Sequence, residues 1–145
     1  IIEFQYGKVS DERAWPVIGF EASPMELQLL DQRLTQLGIP HEDVTSEEDV
    51  EFRIIHYESK LFKLPYFIKL EFPERAGALH DFLELIKGHA NMCYFNYAYT
   101  GEQVGRAMLG FEFDSETQRE GFKSLLTDSV QNFTEISDNT LNRVL

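Results

Sequence analysis

The stretch Tyr66-Phe-Ile-Lys-Leu-Glu-Phe-Pro-Glu-Arg-Ala-Gly-Ala-Leu-His-Asp-Phe-Leu83 decides the fold of this 145-residue chain. Its opening residues are aromatic and branched, as a strand requires, and Pro73, which has no N–H to give to a ladder, ends that strand in a loop. Leu79, Phe82, Leu83 and Ile86 then recur at i, i+3, i+4 and i+7, which predicts a helix from about Ala76 to Lys87, closed by Gly88. Asn91 to Tyr99 and Arg106 to Phe113 read as two strands joined by a hairpin at Thr100-Gly101-Glu102. Ser115 can cap a helix carrying Phe122, Leu125 and Leu126, and Asn132 to Ile136 reads as a last short strand. The order is βαββαβ.

Part of this unit occurs twice. Phe4-Gln5-Tyr6 returns as Phe95-Asn96-Tyr97 and Gly19-Phe20-Glu21 as Gly110-Phe111-Glu112, and 95 minus 4 and 110 minus 19 both give 91. Leu34 and Leu125, and Ser46 and Ser137, keep the same spacing. The earlier copy predicts strands at Ile1 to Tyr6 and Trp15 to Glu21, a helix from about Pro24 to Leu37 stopped by Gly38, and a strand near His41 to Thr45. Ser46 with Asp49 three residues on predicts a capped helix linking the repeats, with Val50, Ile54 and Tyr57 on one side.

The counterpart of Leu64 to Asn91 would fall before Ile1, so the expected division is a truncated first lobe at residues 1–61 and a complete second lobe at 62–145. A start at Ile1 rather than Met agrees with a piece that begins midway through its first repeat. In a βαββαβ sandwich the first strand lies between the third and fourth, so a lobe lacking it has a vacancy with unpaired backbone groups on either side. Upstream residues, a strand of the other lobe, or another chain are expected to fill it.

Composition narrows the function. Apolar residues make up 43% and charged residues 26%, ordinary values for a globular protein. Thirteen basic against 25 acidic side chains give a net charge of −12, which disfavours nucleic-acid phosphates and anionic membranes. An RNA-binding sheet of this topology also lacks its basic aromatic signature. No apolar run approaches the roughly 20 residues of a membrane-spanning helix, and the single Cys93 fits a reducing cytoplasm, as a buried strand thiol. The four histidines have no metal-ligand spacing, and Glu47 to Glu51 suits a helix start better than a cation site. No lysine has the setting of a pyridoxal Schiff base, and no Ser-His or Cys-His arrangement appears.

Glu71-Phe-Pro-Glu-Arg-Ala-Gly-Ala-Leu79 followed by Phe82-Leu83 resembles the first strand-to-helix loop of amino-acid-binding ACT-type regulatory domains. Joined with Phe95-Asn96-Tyr97, Val104-Gly105-Arg106, Gly110 and the tandem Glu3-Phe4-Gln5-Tyr6, it is similar to the carboxy-terminal regulatory region of biosynthetic threonine dehydratases. The resemblance spans nearly the whole chain. It departs where such domains carry proline before the loop glycine, here Ala76, and arginine after the strand tyrosine, here Gly7 and Ala98.

The resemblance implies an α+β fold of tandem ferredoxin-like, ACT-like lobes, the first lacking its initial strand and helix. It also implies an allosteric sensor without an active site, responding to isoleucine and valine. Pyridoxal phosphate belongs, on this view, to a separate catalytic domain of threonine dehydratase, and a homo-oligomer is expected. It makes Tyr6 and Tyr97 the first choice for effector-responsive positions. Gln5 and Asn96 would add amides and Phe4 and Phe95 apolar walls, although plain core packing is the simpler account of those two phenylalanines. The loop Glu74, Arg75, Ala76, Gly77, Ala78 and Leu79 leads into a helix start whose free N–H groups and dipole favour a carboxylate. A free-standing amino-acid-binding or oligomerisation module and an enzyme in its own right are the alternatives.

Overall fold

A computed structural model describes the chain except for residues 74, 76, 99, 100, 102 and 103 and the side chains of Phe72 and Val144. The strands are β1 (Glu3–Gly7), β2 (Val17–Gly19), β3 (Tyr66–Pro73), β4 (Asn91–Ala98), β5 (Val104–Glu112) and β6 (Phe133–Glu135). The helices are α1 (Pro24–Gln36), the single turn α2 (Glu48–Glu51), α3 (Ala78–Ile86), α4 (Glu116–Ser129) and α5 (Asp138–Val144). From Tyr66 onward, β3-α3-β4-β5-α4-β6 is the expected βαββαβ order, and the alternation of buried and half-buried residues along β4 is that of a strand covered on one face. The hairpin turn falls partly outside the described residues, but Gly101 in it has the left-handed φ of +79° that only glycine adopts freely.

All six strands form one sheet in the order β2-β1-β4-β5-β3-β6. Within the second repeat this places the first strand, β3, between β5 and β6, and all its pairings are antiparallel. Helices α3 and α4 bury Phe82, Ile86, Phe122 and Leu126 against Ile68, Leu70, Phe95, Leu109 and Phe111. At roughly 25 cal/mol per Å² of apolar surface, such a continuous cluster is the main stabilising contribution of the fold. On the opposite face the linker between the repeats lies against the strands, with Tyr57 and Phe62 packed on Tyr94 and Phe67 at ring separations of 5.7 and 6.1 Å. Gly110 leaves room for the Phe67 ring, which would lie 2.5 Å from an added β-carbon.

The first repeat departs from expectation in three places. Residues 41–45 form no strand and are mostly exposed, since the hydrogen bonds available to them are local: Asp43 accepts from both the backbone and hydroxyl of Thr45. The linking helix shrinks to the one turn of α2, capped at Glu47 without a side-chain hydrogen bond, and Ser46 makes no capping box. With no fourth strand there is no two-sided vacancy; β2 is simply the open edge of the sheet, and no strand among the described residues occupies its outer side. α1 does form as expected, with Ser23 and Glu26 completing a capping box, yet it buries no residue. The missed element is α5, which Ser137 caps through its hydroxyl.

Candidate ligand-binding sites on the shared sheet

Strands β1 and β4, the equivalent strands of the two repeats, lie side by side and antiparallel, with Phe4 opposite Tyr97, Gln5 opposite Asn96 and Tyr6 opposite Phe95. Gln5 and Asn96 are themselves equivalents under the 91-residue shift, so a local twofold axis passes between them. That axis sends Tyr97 to one end of the strand pair and Tyr6 to the other.

Phe4, Tyr6, Phe95 and Tyr97 share the helix-covered face, where the Phe4 and Phe95 rings lie 4.7 Å apart. Both phenylalanines are part of the packing there. Gln5 and Asn96 project from the opposite face: Gln5 is buried and donates to the Glu3 carboxylate, and Asn96 hydrogen-bonds Tyr94. The structure therefore does not bring the two amides together with the two tyrosines.

At the Tyr97 end the register sets Tyr97 and Ala98 beside Ala107 and Arg106, and Pro73 beside Val104, so the end of β3 and the start of α3 lie at this end of the sheet. Tyr97 is buried in the core cluster and Leu79 is half-buried against it. Gly77 is the N-cap of α3, at a left-handed φ of 83°, and brings no side chain to the N–H groups of the first turn. By contrast Ser23, Ser115 and Ser137 each supply such a cap to their helices. Arg75 is held away by Asp81 at 2.6 Å, Ala78 is buried, and Glu74 and Ala76 lie outside the described residues.

At the Tyr6 end there is a cleft of about 710 Å³ between the β1–β2 loop and the far end of β4 and β5, lined by Tyr6, Lys8, Arg13, Lys63, Met92 and Glu112 among others. Lys8 and Glu112, 5% and 8% exposed, form a bidentate pair with Nζ to Oε distances of 2.8 and 3.0 Å. Burial alone would push the Lys8 pKa down, but hydrogen bonds to Asp11 and Glu112 outweigh it, and the ammonium is favoured. Burial raises the Tyr6 pKa, so its hydroxyl remains a neutral donor and acceptor. Sequence reading did not single out this pair; its signal was a carboxylate, Glu112, set between Phe111 and Phe113 in a run otherwise fit for the core.

Elsewhere Cys93 is buried at a bulge in β4 and Arg106 pairs with Glu71 at 3.4 Å. All four histidines are exposed, and no cluster of metal-ligand type occurs among the described residues. No described helix is long and apolar enough to cross a membrane.

The profile of the family described as the C-terminal regulatory domain of threonine dehydratase matches residues 61–145, more than half of the sequence. The chain belongs to that family. This regulatory domain is 28% identical over 130 residues to the biosynthetic L-threonine dehydratase of Haemophilus influenzae, a match covering 83% of this chain and 24% of that protein. It is 29% identical over 120 residues to the mitochondrial threonine dehydratase of Saccharomyces cerevisiae, covering 80% and 20% respectively. Against the mitochondrial threonine dehydratase of Schizosaccharomyces pombe the figures are 27% over 145 residues, 96% and 24%. The regulatory domain thus spans between a fifth and a quarter of the length of these relatives.

Proposed function

We propose that this domain is the effector sensor of a threonine dehydratase. Isoleucine or valine would bind at the positions marked by Tyr97 and Tyr6 and control a separate catalytic domain. The observation that carries the reading is the uncapped start of α3, with Leu79 in its first turn, at the Tyr97 end of the sheet. An α-amino acid needs donors for its carboxylate, and helix N–H groups left without a side-chain partner meet that need with the favourable end of the dipole. Its branched side chain needs a small apolar wall, which Leu79 and Phe4 supply. The local twofold marks a second position at Tyr6, where a cleft lined by Lys8, Met92 and Glu112 stands in place of a helix start.

Sensing also requires that the ligand prefer one arrangement of the protein over another. The shared β1–β4 pairing makes the two lobes a single hydrogen-bonded body, so strain at either tyrosine reaches the other repeat through the same strands. Pyridoxal phosphate fits the catalytic domain and not this one. Lys8, the buried lysine among the described residues, is held as an ammonium between two carboxylates and is a poor Schiff-base nucleophile. Calorimetric titration with isoleucine and with valine, repeated on Tyr97→Ala and Tyr6→Ala, tests the proposal. Saturable heat that each substitution reduces is expected; no heat from either amino acid would leave the oligomerisation-module reading in its place.

A further inference from the structure

Besides lacking a counterpart of β3 and α3, the Tyr6 end differs from the Tyr97 end in a buried ion pair. Lys8 Nζ reaches Asp11 at 2.7 Å, both carboxylate oxygens of Glu112, and the Leu61 carbonyl at 3.3 Å, so its three N–H donors are fully used. These acceptors belong to three parts of the molecule: the β1–β2 loop, the linker, and the second lobe. The backbone of the same residue is fastened too, its N–H donating to Cys93 and its carbonyl accepting from Glu58. Adding 91 to Lys8 gives Tyr99, and subtracting 91 from Glu112 gives Glu21, which is exposed. The counterpart positions therefore carry the carboxylate, with a tyrosine in the lysine's place.

We propose that Lys8 and Glu112 are a one-sided latch, which fastens the 8–16 loop over the Tyr6 cleft and sets the affinity of that effector position independently of the one at Tyr97. Lys8 acts here as a positioning residue, because its donors are spent within the protein and none is left for a ligand carboxylate. Removing the latch frees the loop and changes binding at the Tyr6 end alone. The ligand arm rests on the effector reading above; the loop arm does not.

The loop arm is limited trypsin digestion of the full chain, comparing cleavage after Arg13 with cleavage after Arg119 in α4. With Lys8→Gln, cleavage after Arg13 is expected to rise about tenfold while that after Arg119 stays within about twofold, and the swapped pair Lys8→Glu with Glu112→Lys is expected to restore protection. No rise at Arg13, or an equal rise at both, would overturn the latch. The ligand arm titrates isoleucine into Lys8→Gln combined either with Tyr97→Ala or with Tyr6→Ala. An affinity change of about tenfold only where Tyr6 is retained supports the proposal, and an equal change or none in both backgrounds overturns the positioning role. Were wild type to give no heat with any branched-chain amino acid, the effector reading would fall and digestion alone would judge the latch.

Discussion

The carbonyl oxygen of His56 lies 2.0 Å from where a β-carbon on Gly7 would stand, so the linker crosses the sheet in direct contact with the backbone of β1. Any side chain at position 7 must push the linker away. Gly7→Ala is expected to lower the unfolding free energy by about 1–3 kcal/mol. Gly121→Ala is the control: that glycine is exposed within α4 with nothing near its missing β-carbon, and the change should stabilise by about 0.5–1 kcal/mol. Urea midpoints measure both, and an unshifted midpoint for Gly7→Ala would mean that the linker does not lie across β1.

Stability should fall on the alkaline side. Burial pushes the Cys93 thiol from 9.0 up to about 12, and Tyr66 is raised in the same sense by burial and by donating to Glu135. A group that holds its proton more tightly when folded contributes fully below its unfolded pKa and loses that contribution as pH rises through the folded one. The loss therefore begins near pH 9, with a share of roughly 4 kcal/mol from the thiol. Guanidinium unfolding between about pH 8 and pH 11 should show this decline, and Cys93→Ala should make it shallower.

Helix α1 should open far more readily than α4. Both carry serine caps, but α4 buries Phe122 and Leu126 while α1 buries nothing, so α1 is held chiefly by its capping box and its own hydrogen bonds. Amide hydrogen exchange is expected to be at least about a hundredfold faster in α1 than in the middle of α4. Similar protection in the two helices would show that α1 has a packing partner.

At the Tyr97 end, Gly77→Ala should cost about 1–2 kcal/mol from the left-handed backbone and also weaken the isoleucine titration, since it disturbs the uncapped start of α3. Ser115→Ala, which removes the α4 cap, should cost about 1 kcal/mol and leave the titration unchanged. Parallel loss of affinity in both variants would trace the effect to global stability.

The second repeat was legible because its signals are local and agree with one another. The apolar spacing of Leu79 to Ile86, the proline that closes β3 and the serine before α4 each point to the element that forms. The first repeat was less legible because a strand at residues 41–45 was expected from their place in the repeat, whereas Glu42 and Asp43 are poor strand residues and no described strand lies beside them to pair with. The site was legible only in part. Strand alternation is enough to set Phe95 and Tyr97 on the face opposite Asn96, but the Lys8–Glu112 pair joins residues 104 positions apart and depends on how the lobes abut. No periodicity reports such a distance.

The exposed outer side of β2 also bears on how the isolated domain behaves in a tube. Ile18 in this strand and Phe20 just beyond it are 37% and 41% exposed, whereas their equivalents Leu109 and Phe111 are fully covered. Such a margin invites intermolecular zippering, and the surplus of 25 acidic over 13 basic side chains is the force that opposes it. Screening shortens the reach of that repulsion to about 3 Å at 1 M salt, so concentrated brine should turn a clear solution turbid where dilute buffer does not.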